Sequence, residues 1–254
     1  MMKSFTQGLP LLALFLSTGL AAPTPTTASG ASFPITDVID RGLTIDEYAQ
    51  SLEDSENNVA RSLEKRQYNG DTYNQLTDGT ACREITLIYA RGTTQDGNVG
   101  AATDEGPTFF NALASRLGGT SRLAIQGVTY PANIFGFLAG GDSGGATTMF
   151  NHINNAASRC PSTKIVVSGY SQGAQLVHTA TQRLTAAVAA RINAVVTFGD
   201  ADRDETFGPV AASKILIICH TGDNICDNGI IVTAEHRNYE IDAPAAAAFV
   251  AARV

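Results

Sequence analysis

The stretch Lys164-Ile165-Val166-Val167-Ser168-Gly169-Tyr170-Ser171-Gln172-Gly173 constrains this chain more than any other. Its first half is a β-branched apolar run of strand length. Its second half is G-x-S-x-G, and the residues after it, 172–184, read as a helix. A chain that passes from strand to helix this way must turn sharply. Gly169 and Gly173 flank the serine because side chains there would collide with the neighbouring strand and helix. The Ser171 hydroxyl is then pushed above the sheet edge. The N-terminus of the following helix offers it free N–H groups and the positive end of a dipole, both suited to an oxyanion. Ser171 is therefore the candidate nucleophile.

Four more strand-length apolar runs lie at 84–90, 122–127, 193–198 and 214–219, beside the one at 164–169. Some are almost continuously apolar, as in strands buried on both faces of a parallel sheet. Helical patterns lie between or after them at 107–117, 146–157, 172–184 and 244–253. The first carries Phe109, Phe110, Leu113 and Leu117 along one face. Strands alternating with helices predict a single α/β domain with helices on both faces of a parallel sheet. No internal repeat or second core is evident.

The N-terminal quarter has a different character. Lys3, a short apolar run from Leu9 to Leu20 and the small residues ending at Ala21 predict a signal peptide over 1–21. That run is too short to cross a bilayer, which needs about 20 apolar residues. A Pro/Thr/Ala-rich segment and an acidic stretch follow, ending at the dibasic pair Lys65-Arg66. Residues 22–66 read as a pro-segment, leaving a mature domain over 67–254. The protein is expected to be secreted and extracellular, a monomer, with no integral membrane association. Its net charge of −7 disfavours nucleic acid, whose phosphates want a basic face.

All four cysteines, Cys82, Cys160, Cys219 and Cys226, fall in the predicted mature domain. An even count in a secreted chain predicts two disulfides, which four cysteines can pair in three ways. They lack the CxxC spacing of a zinc site, so no metal is expected.

A serine nucleophile needs a base, and the base an orienting acid. In α/β-hydrolases the chain order is Ser, then Asp or Glu, then His. His178, His220 and His236 follow Ser171. His178, inside the next helix, cannot fold back and is expected at the surface or in helix packing. His220 precedes the candidate acids, so His236 is the expected base. The acid is one of Asp200, Asp202, Asp204, Asp223, Asp227 and Glu235. Asp223 is preferred because Cys219 and Cys226 bracket it, and a disulfide between them would hold its loop. The other bridge would then join Cys82, just before the first strand, to Cys160, just before the third.

These residues resemble the fungal cutinases from about Cys82 to the C-terminus. The resemblance is carried by Leu87-Ile88-Tyr89-Ala90-Arg91-Gly92-Thr93, by G-Y-S-Q-G around Ser171, by the C-x3-D-x2-C loop holding Asp223, and by His236 ten residues after Cys226. It implies a three-layer α/β-hydrolase sandwich with a central five-stranded parallel sheet and no large lid, cleaving cutin or other esters without a cofactor. It supports both disulfide pairings and assigns an oxyanion hole to the Thr93 and Gln172 amides, with the Thr93 hydroxyl as a third donor. It also implies an apolar acyl crevice built from Ile134, Phe135, Phe137 and Leu138 in the loop 131–141, and from Ile230, Ile231 and Val232 before His236. Glu235 and Arg237 depart from the family, which often has Pro and an apolar residue there, so the crevice rim is expected to be more polar.

Two alternatives stay open on the residues alone. One is an esterase of the same superfamily acting on acetylated xylan. The other is a non-catalytic secreted binding protein with a relic site.

Overall fold

The computed structural model describes residues 67–254. The predicted signal peptide and pro-segment lie outside the described residues.

Strand β1, Ile85–Ala90, is buried along its whole length. It pairs in parallel with β2, Leu123–Gly127, on one side and with β3, Lys164–Tyr170, on the other. Strands β4, Ile192–Phe198, and β5, Ile215–Ile218, extend the sheet beyond β3. The order is β2-β1-β3-β4-β5, all parallel. Alternation along each strand sends its side chains to two cores. Leu87 and Tyr89 face Phe109, Phe110 and Leu113 of helix α1, Glu105–Arg116, and Ala246, Ala247 and Val250 of helix α6, Ala243–Ala251. Ile88 and Ala90 face Met149 and Ile153 of helix α3, Ser143–Arg159, and Leu176, Val177 and Ala180 of helix α4, Gln172–Gln182. Helices thus cover both faces, giving the three-layer sandwich that right-handed crossovers require. Among the described residues, no helix is long and apolar enough to cross a membrane.

The elements differ from the sequence pattern where local signals mislead. Helix α3 begins at Ser143, three residues before the expected start, because Ser143-Gly144-Gly145 does not look helical. Asp142 caps it, its side chain accepting from the Gly145 amide at 2.6 Å. Gly145 is required there, since a Cβ would meet Tyr130 and Leu176 within 3 Å. The expected loop 131–141 contains a short helix, α2, Ile134–Leu138, capped by Asn133 on the Gly136 amide. A further short helix, α5, Ala186–Arg191, follows a Thr185 cap. Strand β5 is only half-buried, although its sequence is as apolar as the others. It lies at the sheet edge, with a partner on one side only.

The chain order reverses between β1 and β3: from β1 the chain moves outward to β2, then crosses back to β3. The carboxyl ends of those two neighbours form the crevice where open α/β sheets place their ligands. The residues leaving them are Arg91-Gly92-Thr93 and Ser171.

Candidate active site

Ser171 sits between β3 and α4 at φ 54°, ψ −120°, a conformation that side-chain-bearing residues avoid. Its amide donates to the Phe198 carbonyl of β4 at 2.9 Å, which ties the turn to the sheet. The two flanking glycines let the backbone approach closely. A Cβ on Gly173 would overlap the Ala90 carbonyl at the end of β1, and one on Gly169 would overlap the Gly173 carbonyl.

His236 lies in a 3-10 turn, Glu235–Arg237, and is buried. Its Nε2 is 2.9 Å from Ser171 Oγ, and its Nδ1 is 2.8 Å from Asp223 Oδ2. Asp223 is fully buried within the loop closed by the Cys219–Cys226 disulfide. Burial works to raise its carboxyl, but hydrogen bonds from His236 and Tyr239 outweigh that and hold it below the ordinary carboxylate value. An ionised Asp223 accepts at Nδ1–H and so leaves the Nε2 lone pair facing the serine hydroxyl. Tyr170, the residue before the serine in G-Y-S-Q-G, stacks its ring on the imidazole at 5.3 Å and donates from its hydroxyl to the His236 carbonyl at 2.6 Å.

The other histidines are engaged elsewhere. His178 is not at the surface; it is buried in the packing of α4, stacked on Phe207 and 3.0 Å from Asp200. His220 bonds Asp242 at 2.6 Å and the Glu235 carbonyl at 2.9 Å. Of the remaining acids, Asp227 pairs with Arg203, and Asp204 and Glu235 are exposed. Asp202 is half-buried and hydrogen-bonds through its amide to Asp200.

Thr93 is held by its loop from several sides. Arg91 bonds the Gln95 and Tyr130 carbonyls, Gln95 Oε1 accepts from the Gly92 amide at 2.8 Å, and the Thr94 amide reaches the Ala132 carbonyl at 2.8 Å. Gln172 Nε2 donates to Thr93 Oγ1 at 2.9 Å and to the Asn133 carbonyl at 2.8 Å. The Thr93 oxygen therefore accepts from Gln172, and its own proton is left to point elsewhere. The Gln172 amide opens α4, where the first N–H groups have no partner within the helix.

A cavity of about 540 Å³ opens over Ser171 and His236. Ile134, Phe137, Ile230 and Val232 stand on its wall, as does Arg237. Phe135 and Leu138 do not border it, and Phe135 is 78% exposed. Ile231 is also exposed and outside the lining. The short helix α2 decides this sorting, because a helical turn sends neighbouring residues in different directions. Among the described residues, no cluster of His, Cys, Asp and Glu could hold a metal ion.

Sequence reasoning missed Glu105 on this wall. It is buried at the start of α1, with its Oε2 accepting from Gln95 Nε2 at 2.6 Å. Burial pushes its carboxyl up to about 7, from 4.5. The unfolded chain then ionises first, so stability falls as pH rises from about 4.5 to 7, and the full deficit persists above that. A glutamine keeps an oxygen for Gln95 without the charge. Glu105→Gln is expected to add on the order of 3 kcal/mol of stability at pH 8 and almost none at pH 4. Melting temperatures at the two pH values check this; an equal gain at both would contradict it.

A strand–turn–helix serine over a parallel sheet, with imidazole and carboxylate in line behind it, defines an α/β-hydrolase. The family model for Cutinase matches residues 81–254. A cutinase of Pyricularia oryzae is 49% identical over 197 residues, covering 76% of this chain and 90% of that one. A cutinase of Botryotinia fuckeliana is 47% identical over 173 residues, covering 68% of this chain and 84% of its own. The structure of Trichoderma reesei cutinase with a phosphonate inhibitor is 36% identical, has a TM-score of 0.66, and covers 86% of this chain and 97% of that one. The chain belongs to the cutinase family and is a carboxylic ester hydrolase. An acetylxylan esterase structure, 23% identical with a TM-score of 0.54, covers 68% of this chain and 99% of its own and shares the fold.

Proposed function

We propose that this protein is a secreted serine esterase that cleaves cutin and soluble short-to-medium-chain esters through an acyl-enzyme. The 2.9 Å contact between Ser171 Oγ and His236 Nε2 carries the reading, because it joins a nucleophile to its base before substrate arrives. Ser171 Oγ attacks the ester carbonyl carbon while His236 Nε2 takes its proton, and Asp223 stabilises the imidazolium. The Thr93 and Gln172 amides, with the Thr93 hydroxyl, hold the oxyanion. A donor of this kind is worth about 2.7–4 kcal/mol in the transition state. The imidazolium returns its proton to the departing alcohol. Water, deprotonated by His236, then attacks the acyl carbon; the acid leaves and Ser171 recovers its proton.

The exposed apolar residues Ile134, Ile230 and Val232 beside the cavity favour an aliphatic acyl chain over an acetyl group. Two disulfides fit an oxidising, extracellular setting. Rates on p-nitrophenyl acetate, butyrate and longer esters test the reading, together with release from cutin and from acetylated xylan. The expected result is a maximum at butyrate or longer and release from cutin. A rate confined to acetate and acetylated xylan would instead support the polysaccharide esterase.

A further inference from the structure

Tyr239 follows His236 by three residues, and its side chain is fully buried. Its hydroxyl lies 2.7 Å from Asp223 Oδ2 and 2.8 Å from the His220 amide nitrogen. The amide can only donate, so the phenol oxygen accepts from His220 and its proton goes to the carboxylate. Burial raises the Tyr239 phenol far above its ordinary value, so the hydroxyl remains a donor at every working pH. The carboxylate is thus held by three donors: the Ile225 amide on Oδ1 at 2.9 Å, Tyr239 on Oδ2, and His236 Nδ1.

Behind the phenol stands a second histidine–aspartate pair. The His220 ring stacks on Tyr239 with centroids 4.0 Å apart and planes 15° apart. Asp242 at 2.6 Å holds one ring nitrogen; the Glu235 carbonyl at 2.9 Å and Asn238 Oδ1 at 3.1 Å hold the other. Both nitrogens face acceptors, so the ring is locked in plane against Tyr239.

We propose that Tyr239 is a positioning residue for Asp223, braced by the His220–Asp242 pair, and that it keeps the carboxylate turned toward His236. The inference rests on Asp223 and His236 serving Ser171 as above. Without the hydroxyl, Asp223 Oδ2 keeps a single donor. The carboxylate can then rotate, and its charge, less dispersed, binds the imidazolium more tightly in the resting enzyme. The base is then available only at higher pH.

The test compares Tyr239→Phe, His220→Ala, Asp223→Ala and His236→Ala with the unaltered protein on p-nitrophenyl butyrate. Across the pH range, rates are taken per active site, counted by an organophosphonate ester, for the unaltered protein, Tyr239→Phe and His220→Ala, and per folded protein for Asp223→Ala and His236→Ala. Tyr239→Phe is expected to lower kcat about tenfold, the scale of one charge-assisted hydrogen bond, with KM within about twofold. The acid limb of kcat/KM should move to higher pH. His220→Ala should shift kcat and that limb the same way by less. A purely structural role would lower Tm and the titrated fraction but leave both unmoved, and that outcome overturns the proposal. If Tyr239→Phe does not fold, His220→Ala decides alone: wild-type kcat and acid limb overturn it. Wild-type rates in Asp223→Ala and His236→Ala would instead sink the triad itself, and this proposal with it. Loss in those two with none in Tyr239→Phe or His220→Ala would sink only the role of Tyr239.

Discussion

Ser171→Ala lowers kcat for p-nitrophenyl butyrate by about 10⁶-fold while leaving the fold in place. That size is expected when a triad nucleophile is removed, since base and acid then have nothing to activate. A residual rate of roughly 10³–10⁴ over water should survive, because the proposed oxyanion hole of the Thr93 and Gln172 amides is left untouched. The melting temperature should barely change. Among the described residues Ser171 Oγ bonds only His236, and alanine meets the positive φ with the same Cβ that serine already places there. The organophosphonate ester supplies a second readout by intact mass. One adduct should form at Ser171 in the unaltered protein, with none in Ser171→Ala or His236→Ala. Full hydrolysis by Ser171→Ala would refute the mechanism.

The two disulfides should separate stability from activity. Cys82 and Cys160 are 78 residues apart, and Cys219 and Cys226 are 7 apart. On chain entropy alone, the long loop is worth about 4.5 kcal/mol and the short one about 2.5 kcal/mol. For a domain of this size, replacing Cys82 and Cys160 with serine should lower Tm by about 10 °C or more. That bridge lies just before β1 and just before β3, at the end of the strands opposite Ser171, so kcat of the folded fraction should hold. Replacing Cys219 and Cys226 should do the reverse. It costs less stability but frees the loop carrying Asp223, and kcat should fall by an order of magnitude or more. Circular dichroism melts paired with active-site-titrated rates check both halves. An unchanged kcat after replacing Cys219 and Cys226 would show that the short loop does not need its bridge.

Much of this site is legible because its signals are local. The Gly169 and Gly173 positions follow from sterics within five residues. The bracketing of Asp223 by cysteines is a spacing of seven, and the order Ser, Asp, His needs only counting. The strand runs are visible because parallel strands covered on both faces must be apolar throughout. Apolar sequence alone does not rank them, since β5 is as apolar as the others yet only partly buried at its edge of the sheet.

What the chain determined alone is its strands, its longer helices and the candidate nucleophile's setting, because period, turn sterics and cysteine spacing act over a few residues. Tertiary structure decided what those groups touch. It placed Gln172 under Thr93 across 79 positions, Tyr239 on Asp223, and Glu105 in the cavity wall. It also put Ile134 and Phe137 on that wall while leaving Phe135 outside it. Such contacts depend on the order β2-β1-β3-β4-β5 and on which way each loop leaves the sheet. Those are settled by packing two cores at once, and no short window of sequence records the result.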